Sequence, residues 1–452
     1  MSQQPNVIVF FTDQQRWDTS GLHGNPLNLM PNFDRLASYG THIDASITCQ
    51  PVCGPARSCL QTGLYATQTG VTWNFITLDP KLKTLAHYFN DAGYQTSYIG
   101  KWHLADRNCD GAVREEERGG YQQWLASNLL EFVSDAWDTV LYNNENEEVR
   151  LPGYRVDAMT DAAIRNIDAM NREGKPFFQF LSYLEPHHQN HIDDYPPPEG
   201  YREAYTGKWM PPDLQALGGS APQHIGGYFG MVKRLDEALG RILDALKSLN
   251  ILENTIILFT SDHGCHFKTR NDEYKRSCHE ASVRVPTAFA GPGFQGGGRR
   301  SEVLSLVDLV PTLLDAAGIE IPDSLPGRSL LPILKGESTE WEDLAFIQIS
   351  ESQVGRAIRT GRWKYCVNAP NLGGKEAAGS DVYEEQYLYD LETDPYELQN
   401  LIQYQSHAGV CEILKEKLCQ AMERAGERRP EIRSQPKELA SQRVVTEAEM
   451  LS

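Results

Sequence analysis

No two cysteines in this chain are spaced C-x-x-C, and the nine present make an odd number. A zinc ribbon needs such pairs and a closed disulfide framework needs an even count, so neither is indicated. No apolar run approaches the ~20 residues of a membrane span, which argues against a membrane partner. Positive charge is scarce: 42 Lys and Arg against 61 Asp and Glu give a formal net charge of −19. A protein that grips a phosphate backbone needs a basic face, so a nucleic-acid partner is not expected. An anionic small molecule stays open, because it answers to the local field of a cleft rather than to total charge. The opening Met-Ser-Gln-Gln-Pro has no basic n-region or cleavage site, and no N-x-[ST] sequon occurs. The expectation is a cytoplasmic, bacterial protein, or a periplasmic or secreted one if a signal has been removed.

What is present is a large globular composition. With 452 residues, 40% hydrophobic and 23% charged, the chain suits one large domain and a smaller one. Asn6–Phe11, Tyr94–Ile99, Pro176–Ser182 and Thr255–Thr260 are short apolar runs rich in β-branched and aromatic residues. Such runs read as strands of a mostly parallel sheet, buried on both faces. Amphipathic stretches at Leu85–Ala92, Ala158–Asn171 and Tyr228–Leu249 alternate with them. The predicted fold class is α/β, a large mixed, mostly parallel sheet sandwiched by helices. Around residue 340 the pattern changes. Ala357–Tyr365 and Gln386–Leu391 alternate in polarity, and a helix is expected near Val410–Arg424. The predicted division is 1–340 for the large domain and 341–452 for a smaller α+β domain with a short antiparallel sheet. Its last ~20 residues are polar and read as a mobile or draped tail.

Polar, chemically capable residues follow the strands directly, at the edge where open α/β sheets bind ligands. Asp13-Gln14 follows the first run and Asp262-His263 the last. A divalent cation needs donors gathered from separate segments, which these pairs would supply; helix or turn capping is their simpler use. Gly100-Lys101-Trp102-His103 offers a lysine and a histidine on one side of an extended backbone. Glu185-Pro186-His187-His188 offers imidazoles suited to acid–base work near neutral pH, and Tyr274-Lys275-Arg276 returns a cation to the same edge. The pentapeptide Cys53-Gly54-Pro55-Ala56-Arg57 has the form C-x-P-x-R.

In this order and spacing, the motifs resemble those of the type I, formylglycine-dependent sulfatases of the alkaline phosphatase superfamily. The likeness runs from Asn6 to about Leu401 and includes Phe11-Thr-Asp13, Thr62-Gly63, Ser261-Asp-His-Gly264, Val283-Arg-Val-Pro286, Ser305–Thr312, Gly361–Tyr365 and Leu388–Pro395. The resemblance implies that Cys53 is oxidised to formylglycine, an aldehyde whose hydrate attacks sulfur, by a formylglycine-generating or anaerobic sulfatase-maturing enzyme. It implies one divalent metal, calcium foremost, held by Asp13, Gln14, Asp262, His263 and position 53. Arg57 is then expected to hold the diol, with Lys101 and His103 on the diol and a sulfate oxygen. His187 and Lys275 are expected on the sulfate and bridging oxygen, His187 as the leaving-group acid. The implied activity is hydrolysis of a sulfate monoester, preferably on a sulfated carbohydrate or other small molecule.

Four departures from the family pattern stand out. Gln14 replaces a second aspartate and His263 replaces an asparagine, which admits manganese or magnesium as alternatives to calcium. His188-Gln189 and Cys278-His279 differ where the leaving group is expected to lie. Trp73, Asn74, Arg270, Asn271 and His279 are further pocket candidates. The nearest alternative is a formylglycine-dependent phosphonate monoester or phosphodiester hydrolase, which shares these motifs. A catalytically silent binding protein would have no chemical reason to keep Cys53, Arg57, Lys101, His103, His187 and Lys275 together.

Overall fold

The computed structural model describes residues 4–106, 108–337, 340–441 and 443–452. Ten strands form the main sheet: β1 (Asn6–Thr12), β2 (Thr41–Ile47), β3 (Gln95–Lys101), β4 (Gln123–Ser127), β5 (Asp138–Tyr142), β6 (Glu148–Pro152), β7 (Phe177–Ser182), β8 (Thr255–Ser261), β9 (Arg284–Ala290) and β10 (Gly298–Ser305). Their order is β10-β2-β9-β8-β1-β7-β3-β4-β5-β6. The centre, β8-β1-β7-β3-β4, is parallel throughout, as the continuous apolar runs predict. Antiparallel β9 joins it to β2, and the β5–β6 hairpin closes the other edge.

Alternate residues of β1 feed two cores. Ile8 and Phe10 pack with the helices Arg155–Arg172 and Ala221–Ser248 on one face. Val7, Val9 and Phe11 pack with Cys53–Thr62 and Leu85–Asp91 on the other. The period-2 geometry of a strand thus buries every residue of β1, which a one-sided sheet would not.

Register brings the chemistry to one edge. Thr12 pairs with Ser261, Phe11 with Ser182, and Gly100 with Ser182. Asp13, Asp262, Lys101 and the Glu185–His187 segment therefore leave the sheet side by side. A surface cleft lined by Leu36, Tyr39, Leu243 and Thr255 lies at the opposite end of β8, away from this edge.

A second sheet runs β11 (Leu344–Ile349), β12 (Gly355–Thr360), β13 (Trp363–Asn368), β14 (Val382–Asp390) and β15 (Glu431–Arg433). The helix Ala408–Arg424 covers it through Val410, Leu414 and Leu418. Two expectations need correction. Ala357–Tyr365 is two strands rather than one, because the chain reverses at Gly361-Arg362, where the Trp363 amide donates to Thr360 Oγ1 at 2.9 Å. The sheet is also not wholly antiparallel. β14 reaches β15 through the covering helix, and a crossover of that kind delivers a parallel partner.

The terminal segment is draped over this domain. Trp363 Nε1 donates to the Glu449 carbonyl at 2.7 Å, and Arg443 pairs with Asp390 at 3.0 Å. Among the described residues no helix is long and apolar enough to cross a membrane. Every cysteine is a free thiol, and all but Cys109 are buried.

Candidate active site

Cys53 opens the helix Cys53–Thr62 and is 1% exposed. Its Sγ lies 2.8 Å from Lys275 Nζ, 3.2 Å from His263 Nε2 and 3.6 Å from Asp13 Oδ1. Burial, and then Asp13, push this thiol up to about 12. An unmodified Cys53 is therefore protonated at neutral pH and a poor nucleophile.

Asp13, Cys53, Asp262 and His263 converge so that one ligand atom from each lies within 4.8 Å of the others. His263 Nδ1 lies 3.0 Å from the Gly264 carbonyl, the geometry of an Nδ1–H donor, which leaves the Nε2 lone pair facing the cluster. Burial, and then Lys275, hold His263 well below the usual histidine range, so it is a neutral ligand. Gly264 is required by close approach, since a Cβ there would sit 2.1 Å from the Ala281 carbonyl.

Gln14 adopts φ 67°, and its Nε2 donates to Tyr195 Oη at 3.1 Å and approaches Cys265 Sγ at 3.6 Å. Its Oε1 is buried with no hydrogen-bond partner, as is Asp262 Oδ2. Burial, and then Asp13, raise Asp262 to about 7. Burial also opposes ionisation of Asp13, but Lys101, His187, Arg57 and Lys275 hold it well below the usual range. Two facing carboxylates, an orphaned amide oxygen and a neutral imidazole are a donor set that fits one hard-to-borderline divalent cation.

Arg57 reaches the carboxylate side through its two terminal nitrogens, while its Nε is buried with no hydrogen-bond partner. Its guanidinium donates to Asp13 Oδ2 at 3.0 Å, the Lys101 carbonyl at 2.8 Å and Ser182 Oγ at 2.8 Å, and lies 3.4 Å from Asp262. Its guanidinium thus offsets the charge of the two aspartates beside position 53. Lys101 Nζ donates to Asp13 and to Glu131, each at 2.8 Å.

His103 follows at φ 61°, so the backbone is not extended here as the spacing suggested. Its side chain is 5% exposed with neither ring nitrogen bonded, and burial followed by Lys101 lowers it well below the usual range. His187 Nε2 lies 3.1 Å from Lys275 Nζ, and its Nδ1 is 2.6 Å from the His188 carbonyl. Burial, and then Lys275, keep His187 neutral as well.

The pocket candidates divide. Asn74 Oδ1 accepts from the Gly54 amide at 2.9 Å and so touches the start of the Cys53 helix. Asn271 Nδ2 donates to the Lys275 carbonyl at 3.1 Å and shapes that loop. Arg270 donates to the Tyr396 carbonyl at 2.9 Å, toward the second domain. His279 is 3% exposed and lies against Tyr387 and Tyr389 of β14, and Cys278 is buried beside Ala357 and Cys366. Gln189 is buried too, donating to the Glu131 and Ser134 carbonyls. These three pack between elements instead of facing a leaving group; His188 alone of the two variable stretches stays beside the site, its ring 4.3 Å from that of His187. Trp73 is half-buried in the bend just before Asn74. Glu131, Ser182, Tyr195 and Cys265 were not anticipated, because none belongs to a spaced motif.

The model of the sulfatase family matches residues 5–319, and that of the N-sulphoglucosamine sulphohydrolase C-terminal region matches 272–424. This chain belongs to the sulfatase family. An arylsulfatase of Clostridium perfringens is 30% identical over 93% of this chain and 95% of its own length. An ulvan-active sulfatase of Formosa agariphila is 28% identical over 88% and 77%. A structure solved with its substrate D-glucosamine-2-N,6-O-disulfate superposes with a TM-score of 0.76 at 24% identity, over 94% of this chain and 98% of that one. The likeness at that identity establishes the shared fold. The chain is accordingly a sulfuric ester hydrolase.

Proposed function

We propose that this sulfatase hydrolyses a sulfate monoester carried by a carbohydrate, with position 53 as formylglycine. The observation that carries the reading is the convergence of Lys275, His263 and Asp13 on Cys53 Sγ within 3.6 Å. Formylglycine there would supply a geminal diol, one hydroxyl to attack sulfur and the other to expel inorganic sulfate. At 1% exposure Cys53 is beyond the reach of another enzyme in the folded chain, so a formylglycine-generating or anaerobic maturing enzyme would act before folding.

Asp13, Gln14, Asp262, His263 and position 53 would hold one divalent cation, calcium foremost, whose charge would polarise sulfuryl oxygens and favour ionisation of the attacking hydroxyl. Arg57 and Lys101 balance the carboxylates and keep Asp13 ionised. Lys275 and His103 present N–H donors to the sulfate, where charge develops as the ester bond breaks. His187 is assigned the leaving-group proton. It is neutral beside Lys275, and an anionic sulfate next to that lysine raises its proton affinity toward the working range. The carbohydrate assignment draws on the ulvan-active relative and the disulfated glucosamine complex. The domain boundary is set at 340/341, just before β11.

The test is a screen of sulfated mono- and oligosaccharides, an aryl sulfate, a phosphodiester and a phosphonate monoester, using protein with confirmed formylglycine. Sulfate release from a saccharide at the highest kcat/KM is expected. Faster turnover of the phosphonate monoester or phosphodiester would replace this reading with the alternative hydrolase.

A further inference from the structure

Phe75 combines three properties that folding alone does not explain. Its φ is 71°, a left-handed conformation unfavourable for a bulky aromatic residue. It is 42% exposed, so burial does not offset that strain. Its ring centroid lies 5.9 Å from that of His103, at an interplanar angle of 50°.

Two bonds from outside the turn tether it at Asn74. The Gly54 amide, next to Cys53, donates to Asn74 Oδ1 at 2.9 Å. The Asn74 amide donates to Glu351 Oε1 at 2.7 Å, and the other Glu351 oxygen pairs with Arg276 at 2.6 Å, beside Lys275. Glu351 comes from the loop after β11, so the second domain ties the Phe75 turn to the Lys275 loop. A strained, exposed side chain held this way is the pattern of a functional position.

The groups around position 53 are buried. Cys53, Lys101, His103, His187 and Lys275 are each at most 5% exposed. A sulfate held among these groups leaves the rest of its substrate to extend toward solvent, and Phe75 is an exposed ring beside His103. We propose that Phe75 is a platform for the leaving group, stacking on the C–H face of a pyranose or the face of an aryl ring. Shared recognition by an apolar ring face and a neighbouring polar imidazole is how small-molecule sites combine affinity with orientation. This inference rests on the sulfatase reading and adds which part of the substrate the chain selects.

The test compares kcat/KM for a sulfated N-acetylhexosamine, an aryl sulfate and an acyclic alkyl sulfate. Phe75→Asn removes the ring but tolerates positive φ, so the turn is kept; Phe75→Tyr keeps the ring. Expected for Phe75→Asn is a roughly 10-fold fall in the ring-over-acyclic preference, through KM, about what one aromatic contact supplies. Phe75→Tyr should retain the preference. A fall for the saccharide alone assigns the platform to sugars, and a fall for the aryl ester alone assigns it to aryl leaving groups. An unchanged preference in Phe75→Asn, or equal loss on all three esters, overturns the platform while leaving the sulfatase reading intact. A wild-type protein that releases sulfate from none of them overturns the functional reading and the platform with it.

Discussion

Lys275 Nζ lies 2.8 Å from Cys53 Sγ, although 222 residues separate the two in the chain. The contact closes a ring of cations around position 53: Lys275 on one side, and Lys101 and Arg57 behind Asp13 on the other. A thiol gains little from such a ring, since burial and Asp13 keep it protonated. A hydroxyl attacking a sulfate ester would gain at every step.

Cys53→Ala should abolish sulfate release and leave the fold in place, because it removes the nucleophile and little core volume. The urea midpoint and the rate of sulfate release, measured on one preparation, check both halves. Loss of soluble protein would mean that the side chain also holds the helix start.

Lys275→Ala and His187→Ala should each lower kcat/KM by about 10²- to 10⁴-fold, the range for one electrostatic or acid–base group. His187→Ala should be largely rescued on a substrate with a good leaving group, which needs no proton, whereas Lys275→Ala should not. Steady-state rates on a nitrophenyl sulfate and an alkyl sulfate separate the two.

Gln14→Ala should weaken divalent-metal binding by roughly 10- to 100-fold, and Tyr195→Phe, which frees the amide that aims Gln14 Oε1, should weaken it less. The measurement is the rise in melting temperature with metal concentration, which follows affinity for the folded state and needs no turnover. Equal curves for wild type and Gln14→Ala would remove Gln14 from the ligand set.

Metal binding should release a proton below neutral pH. Asp262 is raised to about 7 in the folded chain, by burial and then Asp13. Between about pH 4, the ordinary aspartate value, and that point, the metal-free folded state holds a proton that the unfolded chain does not. The sign follows: over this window Asp262 makes the metal-free protein less stable as pH rises. Cation binding displaces that proton, so calorimetry at pH 6 in buffers of different ionisation enthalpy should show release, and at about pH 8.5 almost none. Identical proton counts at both values would contradict the assignment.

The parallel centre of the fold was legible because β1, β7 and β8 are buried on both faces and so are apolar without interruption. The polar pairs at their ends followed from the same logic, and they form the cluster that could hold a metal. What stayed hidden depends on contacts that no local pattern encodes. Glu131 reaches Lys101 from a short helix with no motif of its own. Arg57 pairs with Asp13 and Asp262, a contact that register creates and the pentapeptide does not announce. His279 and Cys278 lie close to Lys275 in sequence and yet face β13 and β14, because the second domain packs against that segment. The split at Gly361-Arg362 was missed since polarity alternates on both sides of the reversal.

The most direct measurement is the mass of the peptide spanning Thr48–Thr62, taken from protein that releases sulfate. The account predicts an aldehyde or its hydrate at position 53, in a fraction that rises and falls with specific activity across preparations. Full activity from protein whose residue 53 is entirely thiol would contradict it.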